Sequence, residues 1–318
     1  MNDFTWRDGE RTIRFGRGTA ESANELVGVG YVLLTTERQR GRLPELERQA
    51  GAIIDVPSGF VDEIAAELLP QVVTTGGSLV ALGGGRVIDT GKALAAATGH
   101  SVAAIPTTLS AAEMTWIHRH VKGLDPAPGN VRPRVVINDP ALSASQPEPE
   151  LAASAANSLG HAVDGAVTVT ASPVPILAAR EAARLTARAY STDEPDRDAL
   201  ALAALLSGYT IDASWYGLHH VMSQTLVRLG GVGHGPANSA MLPHTMRALA
   251  RRGLELVADV ELAERLADLA GATHLAAFGV DEAALDRCAD TAAQRPELAN
   301  TPPAANRDEL RQIYGAAL

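Results

Sequence analysis

The chain has 318 residues, 46% hydrophobic and 20% charged, enough apolar material for a large packed core and too little charge for a disordered chain. A formal net charge of −10 argues against nucleic acid or an anionic membrane as partner. The single cysteine, Cys288, excludes an intrachain disulfide and points to a cytoplasmic location; residues 1–18 are too polar for a signal peptide, and no apolar run reaches the roughly 18 residues of a membrane span.

Residues 31–34 read as a strand, preceded by Gly28 and Gly30. A helix opens at Pro44 over residues 44–49. A second strand follows at 52–56, an amphipathic helix at 61–73 and a third strand at 78–82. Gly83, Gly84 and Gly85 then lead into an Ala-rich helix over residues 87–98. Strand, glycine turn and helix in that order build an anion site. Glycines let the backbone come close to a phosphate, and the first free N–H groups of the helix point at it. The chain is therefore expected to bind a nucleotide diphosphate. Residues 102–105 give a fourth strand, ended by Pro106. Residues 114–122 lack glycine and proline and can stay ordered, whereas 123–133 hold two glycines and three prolines and read as a loop or hairpin. Residues 134–138 form a further strand, closed by Asp139 and Pro140. Strands alternating with helices predict a mostly parallel, doubly wound sheet.

Past Leu142 the texture changes. Residues 143–150 are a polar, proline-containing joint, and beyond it lie Ala/Leu-rich helical segments at 150–167, 176–189, 198–227, 239–251 and 257–269. The expectation is two domains: an α/β dinucleotide-binding domain over 1–145 and an all-α metal and substrate domain over 146–318.

The helical half places polar groups at regular spacing. Asn157 and His161 are four apart and share a helix face, with Asp164 three further on. His220 and Gln224 repeat the spacing of four, and His234 follows between Gly233 and Gly235. Three imidazoles converging on one point would suit zinc or ferrous iron, with a position left open to polarise an alcohol or carbonyl oxygen. The chain has nine histidines, and helical histidines satisfied by ordinary hydrogen bonds account for the same spacing.

Taken in order, these motifs resemble the iron-containing (group III) alcohol dehydrogenase superfamily, most of all its maleylacetate reductase branch. The resemblance rests on Gly83–Gly84–Gly85 with Val87 to Lys92, on Ala104 to Thr115 (AIPTTLSAAEMT), on Asn157 to Asp164 (NSLGHAVD), on Gly217 to His220, and on His234 to Asn238 with Leu242–Pro243–His244. It implies a dehydroquinate synthase-like fold and hydride transfer between NAD or NADP and a secondary alcohol or ketone, in a cleft between the domains. By matched position, Gly83, Gly84 and Gly85 would hold the pyrophosphate, and Thr107 and Thr108 the nicotinamide-side phosphate and ribose. Asp89 would lie near the nicotinamide, and Asn157, His161, His220 and His234 would hold a divalent metal, iron or zinc. Metal-dependent members carry aspartate in place of Asn157, and many carry a proton-relaying histidine in place of Gln224. His219, His220 and Asp89 are therefore the candidate catalytic groups, with His219 or a water for the proton. Glu37, beside Arg38 after the first strand, is the candidate for the cofactor ribose, and an acid there leans toward NAD; two solvated surface charges fit equally well. A small-molecule substrate and a homodimer are expected. The alternatives are a sugar-phosphate cyclase of the dehydroquinate synthase type and a degenerate nucleotide-binding scaffold.

Overall fold

The computed structural model describes residues 4–125 and 129–318, in two compact units, Met1–Ser145 and Gln146–Leu318. Pro126–Pro128, inside the expected loop over 123–133, and the first three residues of the polar N-terminus lie outside the described residues.

Among the described residues of the first unit, seven strands form one sheet: β1 (Phe4–Asp8), β2 (Arg11–Phe15), β3 (Val32–Thr35), β4 (Ala52–Asp55), β5 (Leu79–Gly83), β6 (Val102–Pro106) and β7 (Val135–Asn138). They lie in the order β1-β2-β7-β6-β5-β3-β4, and every pairing except β1 with β2 is parallel. The helices are α1 (Asn24–Val27), α2 (Pro44–Gln49), α3 (Val61–Thr75), α4 (Gly85–Thr98) and α5 (Pro140–Ser143). The central strands are apolar throughout because both faces are covered. Val32, Leu34, Leu79, Ala81, Val102 and Ala104 pack on one face with Ile64, Leu68 and Ile88. Tyr31, Leu33, Val80, Leu82, Ala103 and Ile105 fill the other. Each fully buried large aliphatic side chain there contributes about 1.5–3 kcal/mol.

The β1–β2 hairpin went unrecognised in the sequence. In sequence, apolar residues alternate with charged and polar ones on both sides of Asp8-Gly9-Glu10-Arg11, the pattern of an antiparallel pair.

The second unit is helical: α6 (Glu148–Ala166), α7 (Pro173–Ala189), α8 (Arg197–Ser214), α9 (Leu218–Leu229), α10 (His234–Arg251), α11 (Val260–Leu269), α12 (Glu282–Ala292) and α13 (Arg307–Ala316). Fourteen residues of α6 are buried, which makes it the central element of the unit. The continuous helix expected over 198–227 is two helices. The chain breaks at Trp215-Tyr216-Gly217, where Trp215 takes φ 60° and ψ −170°, a region that side chains disfavour. The helix expected from 239 begins five residues earlier, at His234.

Candidate active site

In the first unit, successive strands leave β3 in opposite directions. β4 lies on its outer side, while β5, β6 and β7 step away on the other. Open α/β sheets take ligands at the carboxyl ends of strands, where the winding reverses. That point here is the gap between β3 and β5. Glu37, exposed in the tight turn Glu37–Gln39, follows β3; Gly83, Gly84 and Gly85 follow β5; Thr107 and Thr108 follow the neighbouring β6.

None of the three glycines has positive φ, so the turn needs them for space. A Cβ on Gly83 would stand 2.6 Å from Val87 Cγ2, one on Gly84 3.0 Å from Thr108 Cγ2, and one on Gly85 3.1 Å from Ser110 Oγ. The Thr107 amide donates to the Gly83 carbonyl at 3.0 Å, so the loop after β6 lies directly on the turn. The N–H groups of Gly85 and Arg86, at the start of α4, have no carbonyl one turn back.

Asp89, half-buried one turn into α4, lies 2.7 Å from the ammonium of Lys92. Lys92 is fully buried and donates to the carbonyls of Ala112 (2.9 Å), Thr115 (3.1 Å) and Ile117 (2.8 Å). From β2, Arg11 donates to the Met114 carbonyl at 2.9 Å. Two buried cations thus fix the segment after the threonine loop. Lys92 was visible in the sequence only as part of a motif, because nothing in its spacing marks a lysine as buried.

In the second unit, Asp164 organises the imidazoles. It is fully buried on α6, facing the break between α8 and α9. Its Oδ2 accepts from the amides of Gly217 (3.0 Å) and His220 (3.1 Å) and faces His220 Nδ1 at 3.0 Å; Oδ1 accepts from the His219 amide at 3.3 Å. The carboxylate therefore caps α9 and orients His220 together. Burial raises the Asp164 carboxyl above its usual range, opposed by His219 and by these three amides. With donors on both oxygens, the ionised form is the one the geometry fits. Gly217 is required at the corner, since a Cβ would stand 1.9 Å from Thr301 Oγ1.

With Nδ1–H of His220 directed at Asp164, its Nε2 carries a lone pair, and that buried atom has no hydrogen-bond partner. The His161 ring stacks on His220 at 4.8 Å, 14° from parallel, with a buried and unpartnered Nδ1. Asn157, one turn earlier on α6, has a buried, unpartnered Oδ1. Burial, and then the His234 imidazole, lowers His220 to about 3, and burial with the neighbouring imidazoles holds His161 well below its ordinary value. These rings are neutral at neutral pH. A neutral Nε2 cannot donate to a carbonyl oxygen; it pairs with a cation or an alcohol proton.

His219 sits edge-on to His220 at 4.9 Å. It has no exposure; its Nδ1 meets Thr245 Oγ1 at 2.9 Å, and its Nε2 lies 2.7 Å from where a Cβ on Gly160 would stand. His234 is exposed at the first position of α10, and the adjacent Gly235 packs on Ala153, one turn before Asn157 on α6. In kind, the donors Asn157, His161, His220 and His234 fit a divalent cation: three imidazoles and an amide oxygen, with a buried, unpartnered polar atom on Asn157, His161 and His220. As placed, they do not close around a point. Among the described residues, no three His, Cys, Asp or Glu side chains stand together at metal-holding range.

Beside His220, Arg295 forks onto Glu297, with Nη2–Oε1 at 2.8 Å and Nε–Oε2 at 3.0 Å. Its Nη2 also donates to Tyr216 Oη (3.0 Å) and Gln224 Oε1 (3.1 Å). This cluster was missed in the sequence, where Arg295 and Gln224 stand 71 residues apart.

Residues 151–318 match the family described as Fe-containing alcohol dehydrogenase family, C-terminal, and residues 46–115 one described as iron-containing alcohol dehydrogenase. Maleylacetate reductase 1 of Rhodococcus opacus is 29% identical, with 99% of this chain and 96% of that protein aligned. Maleylacetate reductase of Pseudomonas sp. strain P51 is 30% identical, with 95% of each covered. The crystal structure of maleylacetate reductase from Agrobacterium tumefaciens superimposes with a TM-score of 0.84 at 24% identity, covering 100% of this chain and 99% of that one.

Proposed function

The chain belongs to the iron-containing alcohol dehydrogenase family, and we propose how its residues serve the NAD(P)-dependent oxidoreductase chemistry that follows from membership. A hydride passes from C4 of the reduced nicotinamide to the carbon of a ketone, and the oxygen takes a proton from water to give a secondary alcohol. The reverse reaction returns the hydride to the oxidised cofactor. The lyase and scaffold alternatives are not favoured, since the relatives are reductases.

In this reading Gly83, Gly84 and Gly85, with the first amides of α4, hold the pyrophosphate. Thr107 and Thr108 line the adjoining phosphate and ribose, and Asp89 borders the nicotinamide. Glu37 takes the other ribose and favours NAD over NADP. Asn157, His161, His220 and His234 would hold a divalent ion, iron or zinc, once drawn together, and that ion would polarise the substrate oxygen. His220 would meet that ion through Nε2, the atom its bond to Asp164 leaves bare. His219, sealed beneath Gly160, keeps His220 in place, and water handles the proton. The enzyme is read as a cytoplasmic homodimer acting on a small molecule, which light scattering and fractionation test.

One observation carries this reading: the buried Asp164 carboxylate that fixes His220 with Nε2 bare. The first test offers NADH to a panel of small ketones and to maleylacetate, a conjugated enone, followed by the absorbance of the reduced nicotinamide and identification of the product, with and without a chelator. Failure of the protein to oxidise NADH with maleylacetate or other ketones rejects the function. Activity that survives removal of all bound metal rejects the ion but not the hydride transfer. The second test is Asp164→Asn. It replaces an acceptor with a donor beneath His220, and turnover is expected to fall by roughly 10–100-fold with NADH affinity unchanged.

A further inference from the structure

We propose that Gln224 is a substrate-recognition residue: its amide, clamped by Arg295, donates its N–H pair to a substrate oxygen other than the one that reacts. The inference rests on the oxidoreductase reading above and assigns one more contact at the same site.

Three observations lead there. Gln224 lies one helical turn after His220 on α9, so the two side chains share a face with Cβ atoms about 5–6 Å apart. A guanidinium only donates, so the 3.1 Å bond from Arg295 Nη2 compels the amide oxygen of Gln224 to face Arg295. The amide nitrogen must then turn away. It has no protein partner among the described residues, and the side chain is half-buried, open to solvent at that end.

The clamp is itself fixed. Arg295 is forked onto Glu297, whose Oε1 also accepts from Tyr216 Oη at 3.0 Å. Burial opposes the charge on Glu297, but the Arg295 hydrogen bonds hold it down to about 2, so the pair stays ionised at any working pH. Tyr216 in turn lies 6.0 Å from the His220 ring, and its carbonyl accepts from Asn300 Nδ2 at 2.8 Å. Residues 295–300 thus brace the corner that carries His220 and aim Gln224 from the same frame. An amide cannot relay a proton, but a fixed one reads the position of an acceptor. The acceptor would lie on the Gln224 side of the reacting oxygen, one helical turn along α9. Arg295 acts through Gln224 and is a positioning residue.

The test compares wild type, Gln224→Glu and Arg295→Met with maleylacetate and NADH. Gln224→Glu keeps the shape and the oxygen that meets Arg295 while removing the donor. It is expected to raise KM for maleylacetate at least tenfold, with kcat within threefold and KM for NADH unchanged. Arg295→Met frees the amide to turn and is expected to raise the same KM by about threefold to fivefold. A Gln224→Glu enzyme with wild-type KM, or one whose loss falls entirely on kcat, overturns the proposal. If wild type binds NADH but oxidises it with neither maleylacetate nor any ketone, the function above fails, and calorimetry of maleylacetate on the protein decides separately. Tenfold weaker binding to Gln224→Glu supports the assignment; equal affinity, or no binding to wild type, overturns it. Should Arg295→Met not fold, Gln224→Glu alone decides, since a half-buried isosteric change leaves the core intact.

Discussion

Glu113 is fully buried, with Oε1 3.4 Å from Asn138 Nδ2 and Oε2 without a partner. Burial raises its carboxyl to about 7, against a smaller pull downward from its backbone hydrogen bond and from Lys92. The unfolded chain ionises near 4.5, so between that pH and about 7 the unfolded state gives up its proton first. The stability held by protonated Glu113 is complete below 4.5 and is lost as pH rises through about 7. Compared with Glu113→Gln, wild type is expected to lose on the order of 3 kcal/mol over that interval and nothing further above it. Urea unfolding of both proteins at several pH values checks this, and parallel curves would refute it. The sequence placed Glu113 in a motif, but spacing carries no information on depth.

At the scale of elements, α4 and the segment after β6 are joined by one ammonium. Lys92→Met would leave three carbonyls without their donor and Asp89 without its cation. The expected loss is about 3–5 kcal/mol in unfolding free energy, together with weaker NADH binding. Loss of under about 1 kcal/mol in a urea titration would mean that the carbonyls find other donors. The local elements were legible where pattern and burial agree. β3, β5 and β6 are apolar runs bounded by glycine or proline, and α6 is an uninterrupted Ala-rich helix. The hairpin β1–β2 was not legible because its partner for the sheet, β7, lies more than a hundred residues away. The break between α8 and α9 was not legible for a similar reason. What caps α9 is Asp164, more than fifty residues upstream, and helical periodicity runs through Trp215-Tyr216 with the single glycine at 217 as its only interruption there. Of the candidate site, the residue types and their faces were readable; the arrangement of Asp164, Lys92 and Arg295 was not, since each acts across long sequence separations.

At the scale of the molecule, each unit has its own buried core. Thermal unfolding is therefore expected to show two transitions. A ligand stabilises the unit that binds it, by about 2.7 kcal/mol at a hundredfold excess over Kd. NADH is expected to raise the transition of Met1–Ser145 and zinc or ferrous iron that of Gln146–Leu318. Differential scanning calorimetry with each ligand alone reads the two shifts. One transition moved equally by both would contradict the division of labour.

Asp164 secures the start of a helix with both oxygens and aims an imidazole with one of them, Oδ2. Selection for folding alone thus also acts on the setting of His220. A library screened only for expression should favour acceptor side chains at this position over apolar ones.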